Sequence, residues 1–407
     1  MLEDGGVYSS SQFGFREGTS TVTNLLSYYD RVSDILQERE GWVDCIYLDI
    51  KKAFDRVPHH RLIWKIKKYG KVRGKMLEWM TDYLMERKMR TVIRGNYSNW
   101  KTVPSGVPQG AVLAPIMFLI YINDMGRGVK SYMNMFADDA KIMRQIENEE
   151  SCVELQNDLD TVKQWSDEWK LEFNTRKCHV IEGGTSKNRP HWEYKLGNNV
   201  IDKTDKEKDL GVIVRGDLSP ENHINKIVGE VYGMLNRIRI AFNYIDVEML
   251  AKIIKVMIRP KLEYAVVVWA PHLKKHINKL EKVQRAATRL VPELRVLSYE
   301  ERLAILGLTT LEKRRERGDM IMMYKCTRGL EKVDRENFIV RDDGRTRGHS
   351  YKVKRGRCKG DVKKYSFPYR CIDKWNGLGE EVVCSRNIHE FKENFDKYEI
   401  RGGTTRA

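Results

Sequence analysis

Three aspartates follow apolar, strand-like segments, and their oxygens could hold metal ions. Asp49 lies near the end of "CIYLDI", and Asp138 and Asp139 lie side by side in "NMFADDAKI". An ionised carboxylate in an apolar setting is costly unless positive charge offsets it, and the next Lys or Arg after the pair is Lys141. Oxygen ligands suit Mg²⁺, with Mn²⁺ as a substitute, and two such ions about 3.5–4 Å apart can stabilise an in-line phosphoryl transfer. The sequence therefore predicts that the three carboxylates meet at one edge of an antiparallel sheet.

Each of these segments also has an ordinary structural interpretation. Asp138 and Asp139 could form a polar hairpin turn, and Asp49 could cap a helix. A further motif between the acid-bearing strands, "VPSGVPQGAVLAPIMFLIYINDM", favours the functional interpretation. Its glycines would let a base or phosphate come close to the loop, and Gln109 can both donate and accept hydrogen bonds. Alternatively, the loop is a turn that starts a buried helix at Ala111, with Gln109 as a surface amide.

The overall composition indicates a folded, basic protein. The 407 residues include 73 Lys and Arg against 57 Asp and Glu, a net charge of +16, and 41% of residues are hydrophobic. This balance argues against general disorder and favours a polyanionic partner such as nucleic acid, although a basic, soluble surface would explain it too.

The cysteines and the apolar segments bear on location. Seven cysteines without a C-x-x-C pair provide neither a zinc nor a disulfide framework, which favours an intracellular location, cytoplasm or nucleus. The longest apolar run, residues 111–122, is too short for a membrane span, and the N-terminus lacks the regions of a signal peptide. No membrane partner is expected.

Hydrophobic periodicity predicts strands and helices in alternation, followed by a mainly helical region. The expected strands lie in "VDCIYLDI", "RTVIRG", "NMFADDAKI" and "KDLGVIV". Helices are expected over residues 74–87, 151–169, 220–240 and 246–269, with Pro260 breaking or kinking the last. The change from alternating strands and helices to a mainly helical pattern predicts a domain change at about residues 184–220.

An ordered set of motifs carries a family resemblance. The segments "QFGFREGTST", "YLDIKKAFDRVPHHRLI", "SGVPQGAVLAPIMFLIYIND", "FADDAKI", "WKLEFNTRKCHVI" and "EKDLGVIV" resemble the reverse transcriptase of non-LTR (LINE-type) retrotransposons, in particular jockey and CR1-like elements. The resemblance implies an α+β fold: a right-hand polymerase palm, built from an antiparallel sheet with packed helices, with partial fingers and then a mostly helical thumb and C-terminal region. It also implies an N-terminally truncated copy.

The resemblance further implies a domain division. Residues 1–183 would form partial fingers and palm, 184–219 a primer-grip hairpin and connection, 220–335 a helical thumb-like region, and 336–407 a basic C-terminal region.

By the same resemblance, the acids and a lysine receive catalytic roles. Asp49 and Asp138 would be the stronger metal ligands, and Asp139 the weaker one. Lys177 would protonate the leaving pyrophosphate, unless it is one more exposed lysine.

Four residues match substrate-binding positions of the family. Phe54 would crowd the sugar 2′ position and exclude ribonucleotides, while Gln109 and Gly110 would touch the incoming nucleotide and template. Arg16 would lie near the triphosphate. The plain alternatives are a core aromatic for Phe54 and a surface cation for Arg16.

The resemblance implies an RNA-directed DNA polymerase that extends a primer 3′-hydroxyl with dNTPs and Mg²⁺. Its partners would be an RNA template and a DNA primer or target, and integration would need a separate endonuclease activity. One alternative is a catalytically silent, nucleic-acid-binding remnant. Another is a two-metal nuclease, which would leave the "SGVPQG" loop and Phe54 without a role.

The C-terminal region has its own concentration of charge. Residues 341–370 contain eleven Lys and Arg against three Asp and Glu, interleaved with Tyr351, Tyr365, Phe367 and Tyr369. We expect this segment to hold RNA or target DNA, unless it is a solvated loop whose aromatics anchor it near Trp375. The candidate contacts are Arg345, Arg347, Lys352, Lys354, Arg355 and Arg357.

Overall fold

The computed structural model describes residues 8–38, 41–69, 72–184, 189–333, 338–341 and 348–402. The chain divides into two compact units, and the division falls within helix α1 (Thr21–Leu36). The first unit comprises Met1–Asn24 and Arg39–Asp205, and the second comprises Leu25–Glu38 and Lys206–Ala407. The functional names expected for these segments stay predictions.

A five-stranded sheet organises the first unit. Strand β1 (Trp42–Leu48) lies at its centre, between β7 (Asp139–Ile146) and β8 (His179–Gly183), and is antiparallel to both. Strand β6 (Tyr132–Phe136) continues the sheet beyond β7, and the short β11 (Asp202–Lys203) runs parallel to β8 at the other side. Every residue of β1 is buried, which explains why its sequence is apolar almost throughout.

Helices pack against one face of this sheet and form the core of the first unit. Helix α5 is nearly enclosed by the core, because it is apolar on all sides. It begins at Ala114 rather than at the expected Ala111, and Pro115 occupies its first turn, where the missing N–H costs no helical hydrogen bond. The helices of the first unit after α1 are α2 (Ala53–Arg56), α3 (His59–Lys68), α4 (Lys75–Leu84), α5 (Ala114–Ile122) and α6 (Glu149–Trp169).

A lysine is buried in this core. The Nζ of Lys65, on α3, donates to the backbone oxygen of Tyr121 at 2.6 Å and to Asp124 Oδ1 at 2.5 Å, and lies 3.6 Å from the centre of the Trp169 ring. Burial lowers the pKa of Lys65 to about 8, although Asp124 favours its charged form.

The remaining strands of the first unit form short hairpins. The segment "RTVIRG", expected as one strand, is the tip of a hairpin rather than a member of the sheet. These strands are β2 (Lys88–Met89), β3 (Val92–Ile93), β4 (Asn96–Tyr97), β5 (Lys101–Thr102), β9 (Lys195–Leu196) and β10 (Asn199–Val200).

The second unit is mainly helical and begins with a hairpin of β12 (Lys206–Asp209) and β13 (Val212–Arg215). The expected helix over residues 246–269 is interrupted by a π-helical turn, Ile254–Ile258, directly before the helical segment that contains Pro260. The other helices are Glu221–Ala241, Val247–Ile253, Arg259–Glu263, Val266–Trp269, Lys274–Ala287, Tyr299–Ile305, Leu311–Thr327, Asp361–Lys364, Ile372–Asn376, Glu380–Val383 and Ile388–Ile400. Within the described ranges, no helix combines the length and the apolar character that a membrane span requires.

Candidate active site

The three aspartates lie at the same end of the central sheet. Leu48 pairs with Ala140, so Asp49 follows β1 at the level where Asp139 begins β7. Asp138 occupies the turn between β6 and β7, because Phe136 pairs with Asp139 across it. Asp138 is half-buried and Asp139 is exposed. The expected meeting of Asp49 with the hairpin pair at one sheet edge is therefore present.

The carboxylates of Asp49 and Asp138 interact unfavourably at this end of the sheet. Burial raises the pKa of Asp138, and the nearby carboxylate of Asp49 raises it further. The Lys177 Nζ lies 3.9 Å from Asp49 Oδ1, and the Lys177 side chain is 67% exposed. At that separation and exposure, Lys177 offsets little of the repulsion between the two acids.

The segment that carries Lys177 also fixes the backbone of Asp49. The amide of Asp49 lies 3.5 Å from the sulfur of buried Cys178, and its carbonyl accepts a hydrogen bond from the amide of Asn174 at 2.7 Å. Ile50 forms an isolated antiparallel bridge with Phe173. Buried Cys178 and the Asn174 amide thus hold the backbone that carries the Asp49 carboxylate.

A buried glutamine that the sequence did not single out holds the turn before Asp138. The Gln12 Oε1 accepts hydrogen bonds from the backbone amides of Ala137 at 2.9 Å and Gly14 at 2.7 Å. Ala137 has φ of 55°, a left-handed conformation that is strained for a residue with a Cβ. Gly14 permits the close approach, since a Cβ there would lie 2.4 Å from the Ala137 nitrogen. The signal in the sequence was the unexplained glutamine of "QFGF".

Arg16 supports the same loop. Its Nη1 donates to the carbonyl of Ser9 at 2.8 Å and to that of Gln12 at 3.0 Å, and the residue is half-buried. Arg16 is therefore more than a surface cation, and its expected position near a triphosphate stays a prediction.

The "SGVPQG" loop attaches to the helical turn that follows Asp49. The Gly106 amide donates to Val57 O, and the Val107 amide donates to Phe54 O, both at 2.8 Å. Gly106 has φ of 96°, and a Cβ there would lie 2.8 Å from the Asp55 carbonyl oxygen. Gly110 has φ of 82°, but a Cβ there would meet nothing within 4 Å, so this glycine is needed for its backbone alone.

Gln109 and Phe54 come together on that turn. The Gln109 Nε2 donates to Asp55 Oδ1 at 2.7 Å, which orients the exposed amide. The Phe54 ring stacks on Phe118 of α5, with ring centroids 4.3 Å apart. Phe54 is half-buried, so it takes part in the core and also retains exposed surface.

The acids fit Mg²⁺ by their chemistry. Asp49, Asp138 and Asp139 offer only hard carboxylate oxygens. Burial, and to a lesser extent the Asp49 carboxylate, raise the pKa of Asp138, and a divalent cation would favour its ionised form. Within the described ranges, no three His, Cys, Asp or Glu side chains are already gathered as a metal-binding group.

Several cations of the basic tail are paired within the second unit. Buried Lys363 donates to Asp30 at 2.6 Å, Arg370 makes a two-pronged contact with Asp319, and Arg355 contacts Asp373 at 2.6 Å. Lys354 and Arg357 are exposed.

Other parts of the tail are anchored or lie outside the described residues. The Trp375 Nε1 donates to the carbonyl of Tyr351 at 2.9 Å, as the anchoring alternative expects, and Lys352 is half-buried. Arg345 and Arg347 fall in a segment that the structure does not describe.

The hairpin expected to grip a primer packs within the second unit. Leu210 and Gly211 form its two-residue turn with φ of 43° and 92°. The Tyr264 hydroxyl donates to the Leu210 carbonyl at 2.9 Å, which holds the turn.

Comparison with known families identifies the class of the protein. The family model for reverse transcriptase (RNA-dependent DNA polymerase) matches residues 1–214, more than half of the chain, and the chain belongs to that family. The predicted family and the predicted fold class, an α+β right-hand polymerase palm followed by a mostly helical region, are confirmed.

Individual relatives are polymerases of mobile elements. The chain is 27% identical over 296 residues to the RNA-directed DNA polymerase from mobile element jockey of Drosophila funebris, an alignment that covers 69% of this chain and 31% of the relative. It is 25% identical over 318 residues to the probable RNA-directed DNA polymerase from transposon BS of Drosophila melanogaster, with 72% and 33% covered. The chain thus spans about a third of the length of these relatives.

Solved structures with a partial likeness include telomerases. Apo telomerase from Candida tropicalis aligns with a TM-score of 0.41 at 12% identity, over 73% of this chain and 50% of that one. Telomerase from Candida albicans, in complex with a fragment of telomeric RNA, aligns with a TM-score of 0.35 at 12% identity, over 76% and 53%.

Proposed function

We propose that this chain carries out RNA-directed DNA synthesis, extending a primer 3′-hydroxyl with dNTPs along an RNA template. The observation that carries the proposal is the placement of Asp49 beside the strained turn that holds Asp138. A part-buried carboxylate with a raised pKa, beside a second carboxylate, is an arrangement expected where cations and phosphates will bind.

Asp49, Asp138 and Asp139 would hold two Mg²⁺ ions. When bound, these ions would stabilise the charge on the attacking and leaving oxygens of phosphoryl transfer. The Cys178–Asn174 segment keeps Asp49 in place, and Gln12 keeps the turn of Asp138 in place, so the ligands are positioned before substrate arrives.

The "SGVPQG" loop and the helical turn that carries Phe54, which are joined by backbone hydrogen bonds, would select the substrate. Gln109, oriented by Asp55, would contact the nucleotide, with the open space above Gly110 admitting its close approach. Phe54, backed by Phe118, would meet the sugar and reject a 2′-hydroxyl by clash.

Lys177 and Arg16 would serve the phosphates. Lys177 is exposed enough to reach a leaving pyrophosphate and would donate a proton to it. Arg16 would lend its charge to the triphosphate while two of its hydrogen bonds support the loop of Gln12.

The remaining partners would be a DNA primer or target and the template strand. The hairpin of β12 and β13 would contact the primer, residues 220–335 would act as a thumb, and the tail would contribute basic contacts. A separate endonuclease would be needed for integration.

Primer extension tests the proposal directly. Purified chain with an RNA template, a DNA primer, dNTPs and Mg²⁺ should yield cDNA, and Asp138→Asn should abolish it. Asp82→Asn, which neutralises an exposed acid on α4, is the matched control and should extend like wild type. Equal product from Asp138→Asn and wild type would refute the function, whereas RNA binding without any synthesis would identify a silent remnant.

A further inference from the structure

A hairpin of the first unit stands exposed along its whole length. Strand β2 pairs with β5 and β3 pairs with β4, and each residue from 88 to 102 is exposed. Arg94 and Gly95 form its two-residue turn with φ of 48° and 83°. We call residues 88–102 the exposed hairpin.

The exposed hairpin presents apolar and aromatic side chains that nothing in the described structure covers. Tyr97 is 61% exposed and Trp100 is 59% exposed, and Met89, Val92 and Ile93 are exposed as well. A concentration of such side chains on one small element marks an interaction surface.

Charge identifies the kind of partner. The exposed hairpin contains four cations and no acid. A second copy of this surface would bring like charges together, and a polyanion would neutralise them. The cations are Lys88, Arg90, Arg94 and Lys101.

The rings and one cation are arranged together. The Arg90 guanidinium carbon lies 4.0 Å from the centre of the Tyr97 ring and 4.6 Å from that of Trp100. The guanidinium therefore holds two exposed rings around a single positive charge. Rings of this kind stack on unpaired bases, and the cation beside them can contact the phosphates that link those bases.

We infer that the exposed hairpin binds an unpaired RNA strand, with Tyr97 and Trp100 stacking on bases and Arg90 and Arg94 contacting phosphates. The choice of RNA rests on the proposed function, in which the template is RNA. A duplex would offer phosphates but no free base faces, so the rings would add little to its binding.

Fluorescence anisotropy of a labelled oligouridine with the full chain tests the inference. Replacing Tyr97 or Trp100 by alanine should weaken binding at least about fivefold for each ring and leave the salt dependence unchanged. Arg90→Ala with Arg94→Ala should instead flatten the slope of log K against log salt by about 1.4, or about 0.7 for each lost charge. Two separate signatures thus distinguish stacking from charge.

Matched variants keep the test specific. Tyr97→Phe with Trp100→Phe keeps both rings and should bind like wild type. Trp64→Ala with Lys68→Ala removes another exposed ring–cation pair of the first unit, 4.4 Å apart, and should also bind like wild type. Thermal melts should show all variants folded, because the altered side chains are exposed.

The outcomes separate this inference from the proposed function. Unchanged oligouridine binding by the alanine variants would overturn the hairpin inference. An equal loss of binding to duplex RNA, a loss of binding confined to oligothymidine, or a change in self-association alone would also overturn it. Asp138→Asn should bind oligouridine like wild type. If wild type binds through the hairpin but makes no cDNA, the proposed function fails and the hairpin site remains.

Discussion

The side chain of Gln12 accepts a hydrogen bond from the backbone nitrogen of Ala137, the residue directly before Asp138, at 2.9 Å. Gln12 is almost completely buried and lies 125 residues away in the chain. It is thus a positioning residue for the turn that presents the acid.

Gln12→Met keeps the side-chain volume but removes the acceptor. It should lower the maximal rate of primer extension severalfold and leave the KM for dNTP nearly unchanged. The buried Ala137 and Gly14 amides would lose their partner, at a cost of about 1–3 kcal/mol in the free energy of unfolding. Single-nucleotide extension and urea unfolding measure the two effects.

Gln156→Met is the control for that substitution. The Gln156 side chain also makes two hydrogen bonds to a backbone, donating to the carbonyl of Lys195 and accepting from its amide, but on the exposed side of α6. Its loss should leave the extension rate unchanged; an equal fall in rate for both variants would mean that Gln12 acts through general stability.

The two glycines of the "SGVPQG" loop should respond differently to alanine. Both have positive φ, which costs about 1–2 kcal/mol for a residue with a Cβ. Gly106→Ala should cost more than Gly110→Ala, because its Cβ would also press on the Asp55 backbone at 2.8 Å. Urea unfolding measures both, and equal costs would contradict the close approach at Gly106.

Phe54→Val should relax sugar selection. With a smaller side chain at this position, incorporation of ribonucleotides relative to deoxynucleotides should rise about tenfold or more, a change of about 1.4 kcal/mol in discrimination. Competition between rNTPs and dNTPs in primer extension measures the ratio. As a control, Val107→Ala alters the "SGVPQG" loop beside Phe54 but keeps the Phe54 ring, and it should keep the wild-type ratio of ribonucleotide to deoxynucleotide incorporation.

Lys65 should make stability rise with pH in alkaline solution. Its pKa is about 8 in the folded chain and 10.5 ordinarily, so between these values the unfolded chain holds more protons. Stability therefore increases with pH there, by up to about 1.4 kcal/mol per pH unit from this group. From pH 7 to 9.5 the free energy of unfolding of wild type should rise relative to that of Lys65→Met. Parallel curves for the two proteins would contradict the buried ammonium.

Substitutions should distinguish the cations of the tail that stabilise the fold from those that bind RNA. Lys363→Met would leave buried Asp30 without its partner and should destabilise the chain by about 3–5 kcal/mol. Lys354→Ala with Arg357→Ala should leave unfolding unchanged and flatten the salt slope of RNA binding by about 1.4. An unchanged slope would show that the tail does not contact phosphates at these positions.

The sequence could predict the acids because their positions follow from local patterns. Apolar runs that end in Asp49 and in the Asp138–Asp139 pair place all three at strand ends, and the family motifs add Gln109 and Phe54. Gln12 could not be recognised in this way, since its partner is remote in sequence. Lys65 could not either, because a lysine in an amphipathic helix is ordinarily exposed, and here it is enclosed by groups remote in sequence, among them Tyr121 and Trp169.

The segment before α1 has a consequence for solubility. Met135 of β6 donates to the carbonyl of Ser11, and its own carbonyl accepts from the amide of Phe13, both at 2.8 Å. These hydrogen bonds occupy backbone groups of β6, the last strand of the sheet, that would otherwise be free to pair with a strand of another molecule. Proteolytic loss of residues 8–14 should therefore expose these groups to strand addition and aggregation, even with every strand of the sheet intact.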